Sequence, residues 1–583
     1  MNRQMSIPET FPAWASALAE AYFSGTTCVF ILHGNVNDLI PFQDGETTPY
    51  CSLTEFLASQ VFGSWDVVVQ YDLSGGLQAQ PGSDAQRLQT MMQYLTARLG
   101  DPSVWPREPD NALLLLDRLI ERNLLESDPN RRKRIGILLD YAQYLVPAAE
   151  PGTLARGVST NVVRLLGWAQ NPYIKRVNTA ICLVTDKLAE VNQRLVQSPH
   201  VATIEIPMPD RAAREGFIQC ATRSANLGAL AELAPAELAE VSNGLSLVSL
   251  NVLLSQARQS GRKVDSTRFR QLKKSMIERQ CQGLLEFIEP SQTLDLVVGQ
   301  DAAKQWLRED AELLTRGRLD AVPMGYLIVG AVGTGKTFLA ECYAGSIGVP
   351  CVKLRNFRSK YVGETEGNLE QVLTVLRSLG PVVVVIDEAD AALGNRSAEG
   401  DSGTSSRVFS MIASQMGDTR YRGRIVWMLL TCRPDLLPID LKRQGRAEVH
   451  IPLFYPQDDA EAQAMLLTMA RKNKVTLAVD AAPAGLAERR LSGADIESVV
   501  LAARRRALAA GRDEVSSADL TDAITDFIPS VQGLEKELQE LAAVLECTQL
   551  NFLPAEWRQR VTQPNGRTPL QERLVTIRRL IEE

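Results

Sequence analysis

One glycine-rich segment, Gly330-Ala-Val-Gly-Thr-Gly-Lys-Thr337, constrains the fold of this chain more than any other stretch. It matches the pattern G-x-x-x-x-G-K-[ST] at every fixed position. The apolar run 326–329 before it is typical of a buried parallel strand, and residues 338–344 after it have the pattern of a helix. A strand, a glycine loop and a helix in this order predict an α/β domain with a parallel sheet.

The residue types of this loop suit a polyphosphate. Its glycines let backbone N–H groups approach an anion closely at a helix N-terminus. A lysine at 336 is expected to reach the β- and γ-phosphates, and a threonine hydroxyl at 337 to bind Mg²⁺. The predicted ATP-binding residues of the loop are Gly330, Ala331, Val332, Gly333, Thr334, Gly335, Lys336, Thr337 and Phe338.

A second motif, Val382-Val-Val-Val-Ile-Asp-Glu-Ala-Asp390, has two acids at the end of a β-branched run. Ligands of open α/β sheets gather at the carboxyl ends of the strands. We therefore expect Asp387 to hold Mg²⁺ through water, beside the Thr337 hydroxyl, and Glu388 to polarise an attacking water.

Composition limits the class of protein. A length of 583 residues suggests three or four domains, and the net charge of −7 provides no excess of positive charge for nucleic acid. The nine cysteines have no C-x-x-C spacing and indicate reduced core thiols. No apolar run approaches the length of about 20 residues that spans a bilayer. The sequence thus predicts a cytoplasmic protein without a membrane span.

The chain reads as two copies of one plan. Strand patterns in the first half lie at 27–32, 65–71, 134–140 and 179–185, and those in the second half at 326–329, 350–354, 382–386 and 425–431. Each copy is expected to be a sheet domain followed by a helical lid. The predicted domains are a degenerate sheet domain at 1–210, a first lid at 211–285, an active sheet domain at 286–456, a second lid at 457–530 and a helical tail at 531–583.

The first copy lacks the catalytic parts. His33-Gly-Asn-Val-Asn-Asp38 follows its first strand without a lysine, and Tyr141 stands where a catalytic glutamate is expected. A capped turn at Asn35 and Asn37 is the favoured interpretation, and an unrelated active site at His33 and Asp38 is the alternative. Scaffolding, docking or regulation is the expected role of this copy.

Two segments outside the sheets carry simpler predictions. Residues 274–286 are expected to continue the first lid helix. The tail after residue 530 is expected to pack against the second lid or a neighbouring subunit.

Residues from Val298 to about Phe527 resemble the core AAA clade of ATPases, which includes katanin- and spastin-like severing enzymes and FtsH-type proteases. In Ser359-Lys-Tyr-Val-Gly-Glu-Thr-Glu366 the resemblance implies a pore loop of Lys360, Tyr361 and Val362, whose aromatic residue grips a polypeptide in a hexameric ring. The chain has no H-E-x-x-H, so the zinc protease of some relatives is not expected.

The stretch Thr431-Cys-Arg-Pro-Asp-Leu-Leu-Pro-Ile-Asp-Leu-Lys-Arg-Gln-Gly-Arg446 resembles a second motif of that family. The resemblance implies arginine fingers at Arg443 and Arg446, offered to the nucleotide of a neighbouring subunit. Cys432 departs from the family, which has a water-orienting asparagine there, and a weakly hydrogen-bonding thiol predicts slow or gated hydrolysis. The remaining ATP-binding positions that the resemblance implies are Val298, Gly299, Gly493 and Ala494. Ser198 and Val201 of the first copy align with the two fingers, so that copy offers none.

A closer resemblance, over roughly residues 270–530, is to the conserved chloroplast-reading-frame AAA proteins of algae and cyanobacteria. It rests on the segment before Pro290, on Trp306-Leu-Arg308 and on Gly400-Asp-Ser-Gly-Thr-Ser-Ser-Arg407. Those proteins also pair a degenerate first half with one active module. Arg407 lies where the wider family has an inter-subunit arginine.

The motifs predict a Mg²⁺-dependent ATPase in a tandem architecture, and the resemblance to AAA proteins implies a ring, expected to be a hexamer, that remodels, disassembles or threads a protein client. Two alternatives stay open. One is a nucleotide-gated scaffold with slow hydrolysis, which Cys432 favours. The other is a nucleic-acid motor or loader, for which the sequence offers only short basic runs.

Overall fold

The computed structural model describes thirteen stretches of the chain. They are residues 7–8, 10–42, 49–82, 85–149, 155–222, 233–260, 266–288, 292–347, 349–355, 364–393, 404–478, 485–529 and 533–582. The chain divides into two compact units. Unit 1 contains residues 1–282 and 359–378, and unit 2 contains residues 283–358 and 379–583.

Unit 1 is built on a six-stranded sheet in the order β5-β4-β6-β7-β1-β8. Its strands pair in parallel, except that β5 runs antiparallel to β4. The strands of unit 1, including the separate β2–β3 pair, are β1 (Val29–Gly34), β2 (Ile40–Pro41), β3 (Tyr50–Cys51), β4 (Val67–Asp72), β5 (Gly76–Ala79), β6 (Ile135–Leu139), β7 (Thr179–Val184) and β8 (Val201–Ile206).

Unit 2 contains a second six-stranded sheet, in the order β14-β10-β13-β12-β11-β9. Here β9 is the antiparallel edge strand. The strands of unit 2 are β9 (Leu285–Ile288), β10 (Gly325–Gly330), β11 (Cys351–Leu354), β12 (Val382–Ile386), β13 (Ile425–Thr431), β14 (Val449–Leu453) and the short parallel pair β15 (Thr476–Leu477) and β16 (Glu514–Val515).

The two sheets share one topology. In each, the first parallel strand lies between the fourth and the fifth, so the order β4-β6-β7-β1-β8 corresponds to β11-β12-β13-β10-β14. Every residue of β10, β12 and β13 is buried, as expected for strands covered by helices on both faces. The predicted tandem α/β fold is confirmed. The strand predictions omitted the fifth parallel strand of each sheet, β8 and β14, the antiparallel edge strands β5 and β9, and the two short strand pairs.

Helices flank both sheets. Those of unit 1 are Ala13–Phe23, Leu53–Phe56, Ala85–Leu99, Pro109–Leu124, Ala142–Leu145, Arg156–Gln170, Pro172–Arg176, Gln193–Val196, Arg211–Thr222, Pro235–Val241, Leu247–Ser260, Ser266–Gln280 and Glu364–Ser378. Those of unit 2 are Asp301–Thr315, Lys336–Ile347, Ala389–Leu393, Thr404–Met416, Ile439–Lys442, Asp459–Lys472, Gly493–Ala509, Ser517–Asp526, Leu534–Glu546, Ala555–Thr562 and Arg567–Glu582.

The lid of unit 2 has an apolar core of its own. Its helices Asp459–Lys472, Gly493–Ala509 and Ser517–Asp526 bury a common set of aliphatic side chains. Ser492 begins the middle helix with a capping box, in which Asp495 accepts from the Ser492 N–H at 2.9 Å and donates its own N–H to the serine hydroxyl. The capping box fixes where the lid helix starts beside the phosphate loop.

The connection at residues 274–286 differs from the sequence prediction. The helix ends at Gln280 and does not continue to Glu286. Gln282 and Gly283 both have positive φ, at +53° and +74°, which a helix cannot accommodate. The chain then enters β9, so residues 285–286 are strand instead of helix.

The tail packs within unit 2. Val544, Cys547 and Phe552 join the apolar core around the sheet. An ion pair between Glu540 of the tail and Arg490 also links it to the lid. The expected packing against the lid is thus present, and the tail additionally closes the sheet core, which the sequence did not predict.

The helix Glu364–Ser378 belongs to unit 1, although it lies in sequence between β11 and β12. The Glu370 carboxylate accepts hydrogen bonds from the N–H groups of Leu188 and Ala189 at 3.1 and 3.0 Å. Lys187 donates to the Asn368 side chain at 3.0 Å. These side-chain contacts join segments some 180 residues apart, and periodicity does not reveal them. The domain boundaries expected from the sequence stay predictions.

All nine cysteines lie in the described stretches and are free thiols. Burial raises the pKa of Cys28 to about 11 and that of Cys351 to about 12. Across the described residues, we find no helix with the length and apolarity needed to cross a membrane.

Candidate functional site

The phosphate loop of unit 2 lies between β10 and the helix Lys336–Ile347, as the motif requires. Gly333 and Gly335 have φ values of +82° and +87°, which favour glycine. A Cβ at Gly333 would lie 2.4 Å from the Ser492 hydroxyl oxygen, so only glycine lets the lid approach the loop here. The Gly493 N–H donates to the Gly333 carbonyl at 3.1 Å. Loop and lid are therefore in direct contact.

Lys336 is held by the loop itself. Its Nζ donates to the carbonyl oxygens of Gly330 and Ala331 at 2.9 and 3.0 Å and contacts the Cys432 Sγ at 3.0 Å. The ammonium group thus lies at the carboxyl ends of β10 and β13. An anion bound in the loop would compete with these acceptors for the lysine.

Thr337 and Asp387 come together at the end of β12. The Thr337 hydroxyl donates to the Asp387 Oδ2 at 3.3 Å, and the Lys353 ammonium lies 2.7 Å from the same oxygen. A hydroxyl and one carboxylate are oxygen ligands that suit Mg²⁺, which usually completes its coordination with water and phosphate oxygens. Among the described residues no cluster of three His, Cys, Asp or Glu side chains offers an all-protein metal site. The residues at this position fit a magnesium ion held jointly with a nucleotide.

Glu388 has an exposed side chain and a left-handed backbone, with φ of +48°. Its N–H donates to the Asp387 Oδ1 at 3.0 Å, which fixes the turn that starts the helix Ala389–Leu393. A non-glycine residue in this region costs on the order of 1 kcal/mol and persists where the surroundings enforce it. The turn separates the two carboxylates, so that one faces Thr337 and the other is open to solvent.

A cavity of about 320 Å³ adjoins the loop. It brings together most of the predicted nucleotide-binding residues, namely Val298, Gly333, Thr334, Gly335, Lys336, Thr337, Phe338, Gly493 and Ala494. Gly330, Ala331, Val332 and Gly299 are not among the lining residues. Gly299 has φ of +67° and lies against the Glu461 carboxylate, where it shapes the turn beside the cavity.

Several lining residues were not identified from the sequence. They are Leu296, Val297, Gln300, Leu339, Leu453, Phe454, Met465, Met469, Lys472 and Glu497. Met465 and Met469 are one helical turn apart and face the cavity from the lid helix Asp459–Lys472. The i, i+4 spacing predicts that both methionines lie on one face of the helix, but the same spacing is typical of a helix that faces an apolar core.

Cys432 directly follows Thr431, the last residue of β13, whose side chain is hydrogen-bonded to the helix after β12. The Thr431 hydroxyl donates to the Asp390 Oδ1 at 2.6 Å and accepts from the Arg433 N–H at 2.9 Å. Arg433 in turn forms two hydrogen bonds with Asp435, at 3.0 and 2.9 Å. These bonds fix the backbone on both sides of Cys432, so its thiol is held against Lys336.

The two predicted arginine fingers differ in exposure. Arg443 is exposed, whereas Arg446 is partly buried and donates to the Asp440 carbonyl at 2.6 Å. Burial, followed by the neighbouring Arg443, lowers the pKa of Arg446. Arg443 is therefore the side chain with freedom to reach another molecule, and Arg446 is tied to its own segment.

The predicted pore loop, Lys360, Tyr361 and Val362, lies outside the described residues. Arg407 is described and lies in the helix Thr404–Met416. The roles assigned to these residues stay predictions.

The corresponding region of unit 1 is arranged differently. Asp38 is buried, and its carboxylate accepts from the Leu247 and Val248 N–H groups at 3.0 and 2.9 Å, at the start of the helix Leu247–Ser260. His33 Nδ1 lies 3.4 Å from the Glu370 carboxylate. Asp38 therefore serves as a helix cap, and His33 has a different carboxylate as its neighbour.

Comparison with protein-family models gives three matches along the chain. Residues 6–207 match the N-terminal Rossmann-like domain of AAA+ chaperones, and residues 212–282 match the second helical domain of AAA+ chaperones. Residues 326–455 match the ATPase family associated with various cellular activities (AAA). The tandem architecture predicted from the sequence agrees with these matches.

Curated relatives cover different shares of the chain. An uncharacterized AAA domain-containing protein ycf46 of Pyropia yezoensis is 25% identical over 74% of this chain and 86% of its own length. A Cell division cycle protein 48 homolog of Archaeoglobus fulgidus is 29% identical, over 51% of this chain and 44% of its own length. The ATP-dependent zinc metalloprotease FtsH 3 of Sphaerobacter thermophilus is 32% identical, over 41% and 50%. The chain thus spans half or less of the last two relatives.

Proposed function

Because this chain is an AAA ATPase similar to the ycf46 proteins, with a Rossmann-like first module, we propose that unit 2 binds ATP with Mg²⁺ and hydrolyses it. The observation that carries the proposal is the meeting of Lys336, Thr337 and Asp387 beside one cavity that the lid also lines. This set provides a cation for phosphate, oxygen ligands for a metal and an enclosed space for a nucleoside.

Each residue has a separate task in this proposal. Lys336 exchanges its loop carbonyls for the β- and γ-phosphate oxygens, while the loop N–H groups bind the same phosphates. Thr337 and Asp387 would hold a magnesium ion, which would neutralise developing charge on the phosphates. Glu388 accepts a hydrogen bond from the attacking water, and the left-handed turn at this residue keeps it apart from the metal-binding carboxylate.

We further propose that the ATPase works as a ring, in which Arg443 serves the nucleotide of the next subunit. The exposure of Arg443 supports this role, since a finger acting in trans must extend from its own surface. The Cell division cycle protein 48 homolog and the FtsH protease are AAA relatives of this chain. The expected work is remodelling or threading of a protein client, with Tyr361 as the gripping residue.

The first test is steady-state ATPase activity and sedimentation mass, measured with ATP for the native chain and for Glu388→Gln. The variant should bind ATP and assemble but lose turnover by about 10²–10⁴-fold, because the water is no longer activated. A matched control is Glu309→Gln, on an exposed position of the helix Asp301–Thr315, which should leave turnover unchanged. Equal turnover in the native chain and in Glu388→Gln would contradict the proposal.

A second candidate function is a nucleotide-gated scaffold that seldom hydrolyses ATP. The contact of 3.0 Å between Lys336 and the Cys432 thiol favours it, since a thiol is a poor substitute for a water-orienting amide. ATP-dependent assembly of the native chain without measurable turnover would select the scaffold. Turnover stimulated by DNA or RNA in a salt-dependent manner would instead indicate a nucleic-acid motor.

A further inference from the structure

One helix of the tail, Leu534–Glu546, is exposed at its first two residues and buried on all sides in its middle part. We name it the tail helix. Seven consecutive residues, from Leu538 to Val544, are buried, although a surface helix has one solvated face. Two of these buried residues are polar, Gln539 and Glu540, and each has a partner in a different part of unit 2. Buried polar groups are retained at a cost unless they are hydrogen-bonded, so these partners explain the helix's position.

Gln539 bonds to the phosphate loop itself. Its Oε1 accepts the Val332 N–H at 3.0 Å, and Gln539 is only 7% exposed. The Val332 carbonyl oxygen accepts a hydrogen bond from the Tyr455 hydroxyl at 3.1 Å. Both polar groups of Val332 are therefore held by side chains from outside the loop. A loop that must aim successive N–H groups at phosphate depends on this orientation.

The hydrogen bonds around Val332 are connected to the lid. Glu540, next to Gln539, pairs with Arg490, and Gly493 of the lid donates to Gly333 of the loop at 3.1 Å. The Lys536 ammonium, one turn earlier, lies 4.0 Å from the centre of the Tyr455 ring. Loop, lid and tail helix thus each contact the other two. A change of the loop conformation would therefore disturb its contacts with both the lid and the tail helix.

We propose that Gln539 is a positioning residue for the phosphate loop, acting through the Val332 N–H. The proposal rests on nucleotide binding by this loop, the proposed function of unit 2. Gln539 is not one of the residues that line the cavity. It therefore acts on the loop and not on the ligand. Its effect is expected on nucleotide affinity more than on the rate of the chemical step.

The test uses the full chain and the variant Gln539→Met, which keeps the side-chain length and removes the acceptor. A single hydrogen bond of this kind corresponds to about a two- to tenfold effect on an equilibrium. The Kd for a fluorescent ADP analogue and the KM for ATP should rise by about that factor, with kcat at saturating ATP changing less. The control is Glu537→Gln on the same helix, whose carboxylate pairs with Arg573 at 2.8 Å and should leave both constants unchanged.

A double-mutant cycle separates positioning from a merely structural role. Val332→Pro removes the N–H that Gln539 accepts, so Gln539→Met should add no further loss of affinity in that background. Melting temperatures without nucleotide report whether each variant is folded. An unchanged Kd in Gln539→Met, or the same loss of affinity in both backgrounds, would overturn the proposal.

The two proposals fail differently. If the native chain binds the analogue and Gln539→Met binds it equally well, only the role of Gln539 is refuted. If the native chain does not bind the analogue at all, the proposed nucleotide site and the role of Gln539 are both refuted.

Discussion

Tyr141 and Glu388 occupy the same backbone position in the two units. Each follows the aspartate at the end of the third parallel strand, and each is left-handed, with φ of +54° and +48°. Each also starts a short helix, Ala142–Leu145 in unit 1 and Ala389–Leu393 in unit 2. The turn that presents Glu388, the proposed water-activating residue, in unit 2 therefore exists in unit 1 with a tyrosine in its place.

The proposed site between subunits can be tested by mixing two variants that are each expected to be inactive. Lys336→Ala removes the proposed phosphate-binding lysine and Arg443→Ala removes the proposed arginine finger. Each variant alone is expected to lose about 10³-fold or more in turnover. In mixed rings an intact loop of one variant meets an intact finger of the other. Partial activity should therefore return on mixing, as measured by steady-state phosphate release. Mixtures that stay as inactive as the separate variants would show that Arg443 does not act in trans.

Cys432 is expected to limit turnover. Cys432→Asn replaces the thiol beside Lys336 with an amide that both donates and accepts hydrogen bonds. One additional hydrogen bond to the attacking water corresponds to about a fivefold faster reaction. Steady-state ATPase assays should show this increase in kcat, while Cys220→Ser, in unit 1, serves as a control without effect. A slower Cys432→Asn enzyme would indicate that the thiol is not the limiting feature.

Thiol labelling offers a separate measure of nucleotide binding. At pH 7.5 N-ethylmaleimide should modify the partly exposed Cys432 and Cys220 first. Burial raises the pKa of Cys28 to about 11 and that of Cys351 to about 12, so those thiols stay protonated and unreactive. ATP should slow the labelling of Cys432 alone, because the nucleotide phosphates occupy the region around Lys336. Peptide mass spectrometry measures the labelling of Cys432 relative to Cys220, with and without ATP. An equal ratio in both conditions would contradict the prediction.

Glu546, at the end of the tail helix, gives stability a defined pH dependence. Burial opposes its ionisation, but hydrogen bonds from His450 and Lys442 outweigh it and lower the pKa of Glu546. A lowered folded-state pKa contributes stability above the unfolded value and loses it as pH falls through the folded value. Glu546→Gln should therefore destabilise unit 2 by about 1–3 kcal/mol at pH 7. The difference should shrink as the pH falls below about 4.5.

Urea unfolding of the native chain, Glu546→Gln and Glu535→Gln at a series of pH values measures this effect. Glu535 is an exposed residue of the same helix and should show no such dependence. A difference between the native chain and Glu546→Gln that grows towards low pH would contradict the assigned ion pair with Lys442.

Asp38 should stabilise the junction between the sheet and the lid of unit 1. Its buried carboxylate caps the helix Leu247–Ser260 through two backbone N–H groups. Asp38→Ala is expected to cost about 1–2 kcal/mol, as for other N-cap deletions. Hydrogen exchange in residues 247–250 should accelerate, whereas Asp128→Ala, a partly exposed cap elsewhere in unit 1, should leave it unchanged. Unaltered protection of residues 247–250 would refute the capping role.

The sequence by itself determined those features of this protein whose residues are close neighbours in the chain. The loop at 330–337 and the two acids that follow the strand Val382–Ile386 carry their spacing in the chain. The largely apolar strands β10, β12 and β13 can be recognised because both of their faces are buried. The degenerate character of unit 1 follows from missing residues at the same places. These features are local, so periodicity and motif spacing are sufficient to predict them.

Only the tertiary structure decided the contacts that join distant segments. Three contacts show this. Lys353, in strand β11, contacts Asp387, and Met465, in the lid, lines the cavity. Gln539, in the tail, accepts the Val332 N–H. A lysine in a strand, a methionine in a helix or a buried glutamine has no distinctive sequence spacing, and its role depends on what the folded chain places next to it. The grouping of the helix Glu364–Ser378 with unit 1 has the same origin, since Glu370 finds its partners about 180 residues upstream.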